Sequence, residues 1–362
     1  MAKAKYASSG KVTKLVSVLS SHLKGFHLAR VQFIGLFVIA VIKVGLGGLI
    51  QIATAFERNV EYSSSLRRIE RFLNYYELDF QAITNLIISL EGIEQWENIV
   101  LCLDRTNWKV GKEHINILLL SAAHKGVSIP LCWSVLSRTG NSATQQRIDL
   151  IEDFLNQFPN LSITALVADR EFIGKKWFFY LATKKFDFVM RIKSNFKATR
   201  KGKTKSIVAW CRGLSISETY QLDGTFVVNE AEVYLSVSRT QKGYIYLASP
   251  VLLDNIFEIY KQRWEIETLF KALKSQGFNL ENTKLTEPNK IAKLIALCSI
   301  AFVWCYKVGE WKHKKTKIRV CSNGYNEYSF FRYGLIEIKK ILNNPMTSET
   351  KFDQKIKVLS ME

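Results

Sequence analysis

The order of apolar and polar positions divides the chain into five stretches. In residues 1–90 apolar positions recur at helical spacing, which predicts a helical domain. Residues 91–190 alternate short apolar runs with a helical pattern, as is typical of an α/β core. In 191–250 apolar and polar positions alternate between polar turns, which predicts short antiparallel strands. Helical spacing returns in 251–310, and 311–362 form a C-terminal basic region and tail.

The apolar runs of the second stretch predict buried strands. Short runs rich in Val and Ile suit a sheet that is covered on both faces. These runs are residues 99–104, 115–121, 129–135 and 163–168. Between the third and the fourth run, residues 144–158 show helical spacing, and we expect a crossover helix there.

Two further helices are predicted near the N-terminus. The first spans residues 31–56, is apolar almost throughout and should be buried. The second follows the serines at 63–65, which can cap its first turn. We expect its arginines to lie away from its apolar face, available to DNA phosphate or a groove, unless they pair with Glu70 on an ordinary surface helix. These arginines are Arg67, Arg68 and Arg71.

Two of the predicted strands run directly into an aspartate. Residues 99–103 are followed by Asp104, and 163–168 are followed by Asp169. Ligands of open α/β sheets bind beyond the carboxyl ends of the strands, so neighbouring strands can bring both carboxylates to one site. Hard oxygen ligands suit Mg²⁺, and Mn²⁺ can substitute.

A stripe of charged residues in the fourth stretch adds a third carboxylate. Tyr260, Arg263, Glu267, Lys271 and Lys274 fall within roughly 80° of the circumference of an α-helix. The carboxylate can bind a metal ion, and the cations and the phenol can bind phosphate. The alternative is a solvated helix face with ion pairs one turn apart.

The stripe lies in one predicted helix, residues 254–275, with Gly277 as its C-cap. Glu267 on that helix would join Asp104 and Asp169. Three carboxylates can hold two divalent ions about 4 Å apart, an arrangement that activates water and stabilises the leaving oxygen in phosphoryl transfer.

With these residues the chain resembles bacterial DDE transposases of the insertion sequence four family, over roughly residues 10–310. The resemblance rests on three motifs: Leu-Asp104-Arg-Thr-Asn-Trp, Ala-Asp169-Arg-Glu-Phe, and Tyr-x2-Arg-x3-Glu-x6-Lys at Tyr260, Arg263, Glu267 and Lys274. It implies an RNase H-like catalytic core formed by 91–190 and 251–310. It also implies an inserted β-rich segment at 191–250 and an N-terminal helical DNA-binding domain at 1–90.

The resemblance also implies an activity. Such a transposase binds the terminal inverted repeats of its insertion sequence and cleaves the DNA with two Mg²⁺ ions held by Asp104, Asp169 and Glu267. It then joins the ends to target DNA, through a hairpin intermediate, as a homodimer on DNA. A standalone metal-dependent nuclease of the same fold and a non-catalytic DNA-binding remnant are the alternatives.

Several DNA contacts follow from the same resemblance. Tyr260, Arg263 and Lys274 would hold phosphates beside the cleaved bond, and Lys271 shares their helix face. An aromatic residue of the insert would stack on a flipped base. Trp210 is the only tryptophan in that segment, so it is the candidate, with packing inside the sheet as the alternative.

The charge balance agrees with a polyanionic partner. The chain has 51 Lys and Arg against 32 Asp and Glu, a net charge of +19, and such an excess neutralises phosphates. The basic residues concentrate in 1–76, 191–205 and 307–319. Three separate patches indicate contact with extended double-stranded DNA.

The remaining composition bears on compartment. The six cysteines form no CxxC pair and have no histidine at metal-ligand spacing, so we expect core cysteines in a reducing compartment and no zinc or heme site. The uncharged apolar runs 33–42 and 294–306 are shorter than the ~20 residues a membrane span needs. We expect a cytoplasmic, nucleoid-associated protein without a membrane partner.

Overall fold

The predicted strands form one half of a mixed sheet, with Val127–Leu136 at its edge. The computed structural model describes residues 10–136, 140–211, 213–322, 324–344 and 349–360, so parts of the predicted terminal regions lie outside it. The first five strands are β1 (Ile99–Val110), β2 (Glu113–His124), β3 (Val127–Leu136), β4 (Ile163–Ala168) and β5 (Phe188–Ile192). The first four cover or overlap the four apolar runs of the sequence.

The order of these strands is β3-β2-β1-β4-β5. β1, β2 and β3 pair antiparallel through tight turns, whereas β4 pairs parallel with both β1 and β5. Parallel neighbours need a crossover, which α6 (Thr144–Gln157) provides before β4 and α7 (Lys175–Thr183) provides before β5. This is the strand order of an RNase H-like core, and the predicted α/β fold class is confirmed.

The β-rich insert extends the same sheet. Its strands are β6 (Lys197–Arg200), β7 (Lys203–Ser206), β8 (Thr219–Gln221), β9 (Phe226–Val228), β10 (Ala231–Thr240) and β11 (Gly243–Ser249). β11 pairs antiparallel with β5, and the sheet continues through β10, β9 and β6 to β7, while β8 pairs with β10 opposite β11. A short helix, α8 (Ile207–Trp210), follows β7. Backbone hydrogen bonds therefore tie the insert to the core.

The N-terminal helices precede the sheet. They are α1 (Gly10–His22), α2 (Leu28–Val44), α3 (Leu49–Thr54), α4 (Tyr62–Tyr75) and α5 (Phe80–Glu91). The predicted single helix 31–56 is wrong, because Gly45 adopts φ +73° and ends α2. The predicted serine cap is also wrong: α4 begins at Tyr62 after Glu61, without a capping side chain.

The predicted helix 254–275 is broken in two. α9 (Ile256–Lys261) leads into a 3₁₀ turn, Gln262–Trp264, and then into α10 (Glu265–Lys274). The residue after α10 is Ser275, so Gly277 is not its C-cap. Gly277 instead allows a close approach, since a Cβ there would lie 2.3 Å from the Ala272 carbonyl oxygen.

The C-terminal part is helical. α11 (Pro288–Lys315), α12 (Phe330–Asn343) and α13 (Glu349–Ser360) contact one another, and α11 also contacts α2, α5 and β3. α11 is long and apolar enough to cross a membrane, but 89% of its most apolar window is buried inside the protein, as in a core helix. Two more 3₁₀ turns, Ile93–Gln95 and Leu280–Thr283, connect elements of the core.

Two glycines set the distance between α11 and α12. A Cβ on Gly309 would lie 1.8 Å from the Phe330 carbonyl oxygen, and one on Gly334 would lie 1.8 Å from the Cys305 carbonyl oxygen. Both obstacles are backbone atoms, which cannot rotate away. The backbones of α11 and α12 therefore touch at these two glycines. A side chain at either position would push the helices apart.

We expect Gly334→Ala to destabilise the protein by about 1–3 kcal/mol, because overpacking outweighs the better helix propensity of alanine. Urea denaturation measures the difference. Gly25→Ala is the control, since a Cβ at Gly25 meets no atom within 4 Å. A Gly334→Ala protein as stable as the wild type would contradict the close crossing.

Candidate active site

The two predicted aspartates lie at the same level of two parallel strands. In the β1–β4 pairing the last partners are Leu103 and Ala168, and Asp104 and Asp169 come directly after them. Neighbouring strands are ~4.8 Å apart, so the register places both carboxylates at one edge of the sheet. The sequence prediction that β1 ends at Asp104 is wrong, because β1 continues to Val110, paired with β2.

Asp104 lies in a largely desolvated place. Its side chain is 16% exposed, and burial raises the pKa of its carboxyl group to about 6. The backbone N–H of Arg105, which donates to Oδ1 at 2.7 Å, and the guanidinium of Arg263 both act in the opposite direction. A buried carboxylate of this kind needs a cation beside it to stay ionised at low cost.

Arg263 supplies that cation and joins Asp104 to Glu267. Its Nη1 donates to Asp104 Oδ2 at 3.2 Å, and its Nη2 donates to Glu267 Oε1 at 2.9 Å. The Arg263 side chain is 7% exposed, whereas that of Glu267 is 44% exposed. One buried guanidinium therefore bridges two of the three predicted carboxylates, and Glu267 reaches them from the solvent side.

Tyr260 makes the matching contact with the second aspartate. Its hydroxyl donates to Asp169 Oδ1 at 3.5 Å, and the side chain is buried. Burial, followed by the charge of Asp169, raises the pKa of Tyr260 far above its ordinary value, so the phenol is a neutral donor. The structure thus brings together five of the predicted site residues: Asp104, Asp169, Glu267, Arg263 and Tyr260.

The donor set agrees with a hard divalent cation, because carboxylate oxygens are the preferred ligands of Mg²⁺ and Mn²⁺. The positions of the side chains must also suit a metal ion. Over the described ranges, no group of three or more His, Cys, Asp or Glu side chains is placed to hold a metal ion. The Arg263 guanidinium lies between Asp104 and Glu267 and contacts one oxygen of each. A metal ion bound through those two oxygens would displace it.

The two predicted lysines have different surroundings. Lys274 Nζ donates to the Asn107 carbonyl at 2.9 Å and lies 3.0 Å from Glu281 Oε1, so it ties α10 to β1. Lys271 is exposed and lines a groove of about 1080 Å³ between α10 and α12. Of the pair, Lys271 is the cation that faces solvent.

Trp210 packs within the insert. Its indole N–H donates to the Ala198 carbonyl at 3.1 Å, and its ring makes an edge contact with Phe226 at 5.3 Å. Lys205 lies over the same ring. Trp210 thus makes the contacts of the alternative, packing inside the sheet. The aromatic ring that is exposed beside the site belongs to Trp264. Trp264 is 41% exposed, and its ring contacts Tyr260 and the Arg263 guanidinium.

An ion pair that the sequence reasoning missed braces the site. Arg105, next to Asp104, donates to both carboxylate oxygens of Glu171 at 3.1 and 3.3 Å, and to Asn116 Oδ1 at 2.9 Å. It thereby holds the segment after β4 against β1 and β2. The signal was present in the sequence, because an arginine follows each of the two aspartates.

The arginines of α4 do not share one environment. Arg67 and Arg71 are exposed, as predicted. Arg68 turns back onto α2, where its Nη2 donates to the Ala29 carbonyl at 2.9 Å and its guanidinium lies over Phe33. Its predicted position away from the apolar face is wrong, because an aromatic ring of another helix attracts the planar cation.

Comparison with known proteins gives one family match. The family model described as "Transposase DDE domain" matches residues 95–304, which include the two aspartates, Arg263 and Glu267. No curated protein matches the chain. A similar solved structure is the cryo-EM structure of the piggyBac transposase synaptic complex with hairpin DNA. It is 11% identical with a TM-score of 0.41, over 97% of this chain and 83% of that one.

We expect Arg263→Met to lower the free energy of unfolding by about 3–5 kcal/mol, because it leaves Asp104 buried without its cation. Denaturation in urea measures the loss. Adding Asp104→Asn to that variant should recover part of it, since the unpaired charge is then removed. Lys271→Met, which removes an exposed cation of α10, is the control with little effect expected. Equal stability of the two single variants would contradict the bridge.

Proposed function

This chain belongs to the transposase DDE domain family, and we propose that it moves DNA by cutting at the ends of an insertion sequence and joining those ends to a target. The observation that carries the proposal is the register of β1 and β4, which places Asp104 beside Asp169, together with the Arg263 bridge to Glu267. Three carboxylates from a strand edge and a neighbouring helix suit phosphoryl transfer.

Asp104, Asp169 and Glu267 would hold the divalent cations of the reaction, Mg²⁺ or Mn²⁺. When bound, such ions supply a Lewis acid that lowers the pKa of a water or hydroxyl and stabilises charge on the leaving oxygen. Arg263 bridges two carboxylates, and Glu267 is the more exposed of the two. Glu267 can therefore turn away from Arg263 at lower cost than Asp104.

The surrounding residues would position DNA. A guanidinium released from a carboxylate can donate two parallel hydrogen bonds to a phosphate, and Arg263 would do so here. Tyr260 would remain a neutral hydroxyl donor at Asp169. Lys271 faces solvent on the same helix and would meet the DNA backbone, while Lys274 is held by Asn107 and Glu281 and would mainly fix α10.

The finer assignment rests on the Tyr260, Arg263, Glu267 and Lys274 signature. It supports a bacterial transposase of the insertion sequence four family, which would excise its element through a hairpin intermediate. In this proposal the helices of 1–90 bind the terminal inverted repeats, and a homodimer pairs the two ends in the cytoplasm. The net charge of +19 supports double-stranded DNA as the partner.

The experiment uses purified protein, Mg²⁺ and a labelled duplex that carries the inverted repeat flanking its gene, with a plasmid as target. Denaturing gels resolve nicked, hairpin and joined products. Cleavage at the repeat end followed by joining supports the transposase. Cutting without end specificity or joining would instead identify a nuclease of the same fold, and binding without cleavage would identify a non-catalytic remnant.

We expect Asp104→Asn, Asp169→Asn and Glu267→Gln each to slow strand cleavage by roughly 10²–10³-fold or more, because each removes a carboxylate that would hold the divalent cations of the reaction. DNA binding, measured by fluorescence anisotropy, should remain near that of the wild type. Glu258→Gln, at an exposed carboxylate of α9, is the matched control and should cleave normally. Wild-type cleavage by any of the three variants would remove that residue from the site.

A further inference from the structure

Three arginines from different parts of the N-terminal region lie close together beside a ladder of aromatic rings. The ladder consists of Phe33 from α2 with Phe72 and Tyr76 from the end of α4. Phe33 and Phe72 stack with their centroids 4.2 Å apart, and the Phe72 and Tyr76 centroids are 5.0 Å apart. This ladder joins α2 to α4 and gives planar cations a surface on which to lie.

A guanidinium group lies over the ring at each end of this ladder. Arg30 lies over Tyr76, with 4.5 Å between its central carbon and the ring centroid. Arg68 lies over Phe33 at 5.8 Å. Stacking fixes the plane of a guanidinium while its N–H groups point outward along its edges, which is the orientation that binds oxyanions.

Arg58 completes the cluster. Its backbone N–H donates to the Phe56 carbonyl oxygen at 2.8 Å, and the Phe56 ring packs against Phe33 at 6.0 Å, so the chain at Arg58 runs beside the ladder. Burial, followed by repulsion from Arg58 and then Arg30, lowers the pKa of Arg68 to about 10. The three cations therefore repel one another in a partly desolvated place.

Acidic partners are not found for these groups among the described residues. The contacts of Arg68 are the Ala29 carbonyl oxygen and the Phe33 ring. The nearby acids are engaged elsewhere, since Glu57 pairs with Lys43 and Asp79 accepts the Ala82 N–H at the start of α5. Three like charges without a counter-charge lower the stability of the protein, and an anion between them would offset that cost.

We propose that Arg30, Arg58 and Arg68 form a phosphate-binding site for the backbone of double-stranded DNA. The inference rests on the proposed function, and it assigns to DNA two residues, Arg30 and Arg58, that the sequence pattern of α4 does not include. Arg67 and Arg71 are exposed on the same helix and extend the basic surface past the cluster. A backbone contact is independent of base sequence, so the site positions DNA without selecting the inverted repeat.

The test uses the full chain and Arg58→Gln. Because Arg58 only adds repulsion to the cluster, its removal should leave the melting temperature unchanged or raise it, while DNA binding weakens about tenfold. The slope of log affinity against log salt should become less steep by about 1. A structural arginine would show the opposite pattern, a lower melting temperature and unchanged binding. Lys184→Gln, which removes one exposed charge already paired with Glu152, is the charge-matched control.

Two probes separate this site from the proposed function. Anisotropy with the inverted repeat and with a scrambled duplex should show the same fold-loss for Arg58→Gln. Inorganic phosphate should raise the melting temperature of the wild type more than that of the variant. If the wild type binds and transposes DNA while Arg58→Gln binds equally well, the site is overturned and the function stands. Stabilisation by free phosphate without any binding of duplex would also contradict the DNA assignment.

Discussion

The parallel pairing of β1 with β4 determines where the site lies. Parallel strands need a crossover, and α6 provides it, so β4 returns beside β1 with Leu103 opposite Ala168. Because that register is fixed by buried side chains on both strands, Asp104 and Asp169 cannot separate without breaking the core. β5 and the whole insert are then attached in sequence to the far side of β4. The position of every later strand depends on this one pairing.

The pairing of β1 with β4 brings carboxylates close together, and the positive charge of Arg263 compensates for them. Two carboxylates at neighbouring positions repel each other, and burial makes the charge on Asp104 more costly still. A guanidinium between Asp104 and Glu267 offsets that cost in the form of the protein described. A divalent cation would do the same with more charge. In the proposed function, a cation bound to the same oxygens would displace Arg263 and leave its guanidinium available to DNA phosphate.

The sequence predicted the core well because its information is local. Apolar runs such as 99–103 can hardly form anything other than buried strands, and the aspartate after each run follows from the same pattern. The Arg263–Glu267 half of the bridge is an ion pair one turn apart, as in the alternative interpretation of the stripe, but the Arg263–Asp104 half was not predicted. Helical periodicity places Tyr260, Arg263 and Glu267 on one stripe, but the 3₁₀ turn at Gln262–Trp264 advances by more than 100° per residue. Tyr260 consequently contacts Asp169, and Arg263 turns to Asp104.

Other features depend on contacts between distant segments and leave no local signal. Arg68 was expected to face solvent because the pattern of α4 does not include Phe33, to which Arg68 turns. The helices α12 and α13 were assigned to a basic tail, although Leu335, Ile338 and Phe352 are buried against other helices. The crossing of Gly309 with Gly334 is also invisible in one sequence, since a helical glycine by itself predicts only lower helix propensity.

The central claim is that Asp104, Asp169 and Glu267 form one metal site. Anomalous X-ray diffraction from crystals of the protein with Mn²⁺ and an inverted-repeat duplex tests it most directly, because the anomalous signal locates the ion without reference to activity. The account predicts a manganese peak bounded by the three carboxylates, with Arg263 no longer bridging Asp104 and Glu267. Bound DNA with no peak at these carboxylates, and Arg263 still between them, would contradict it.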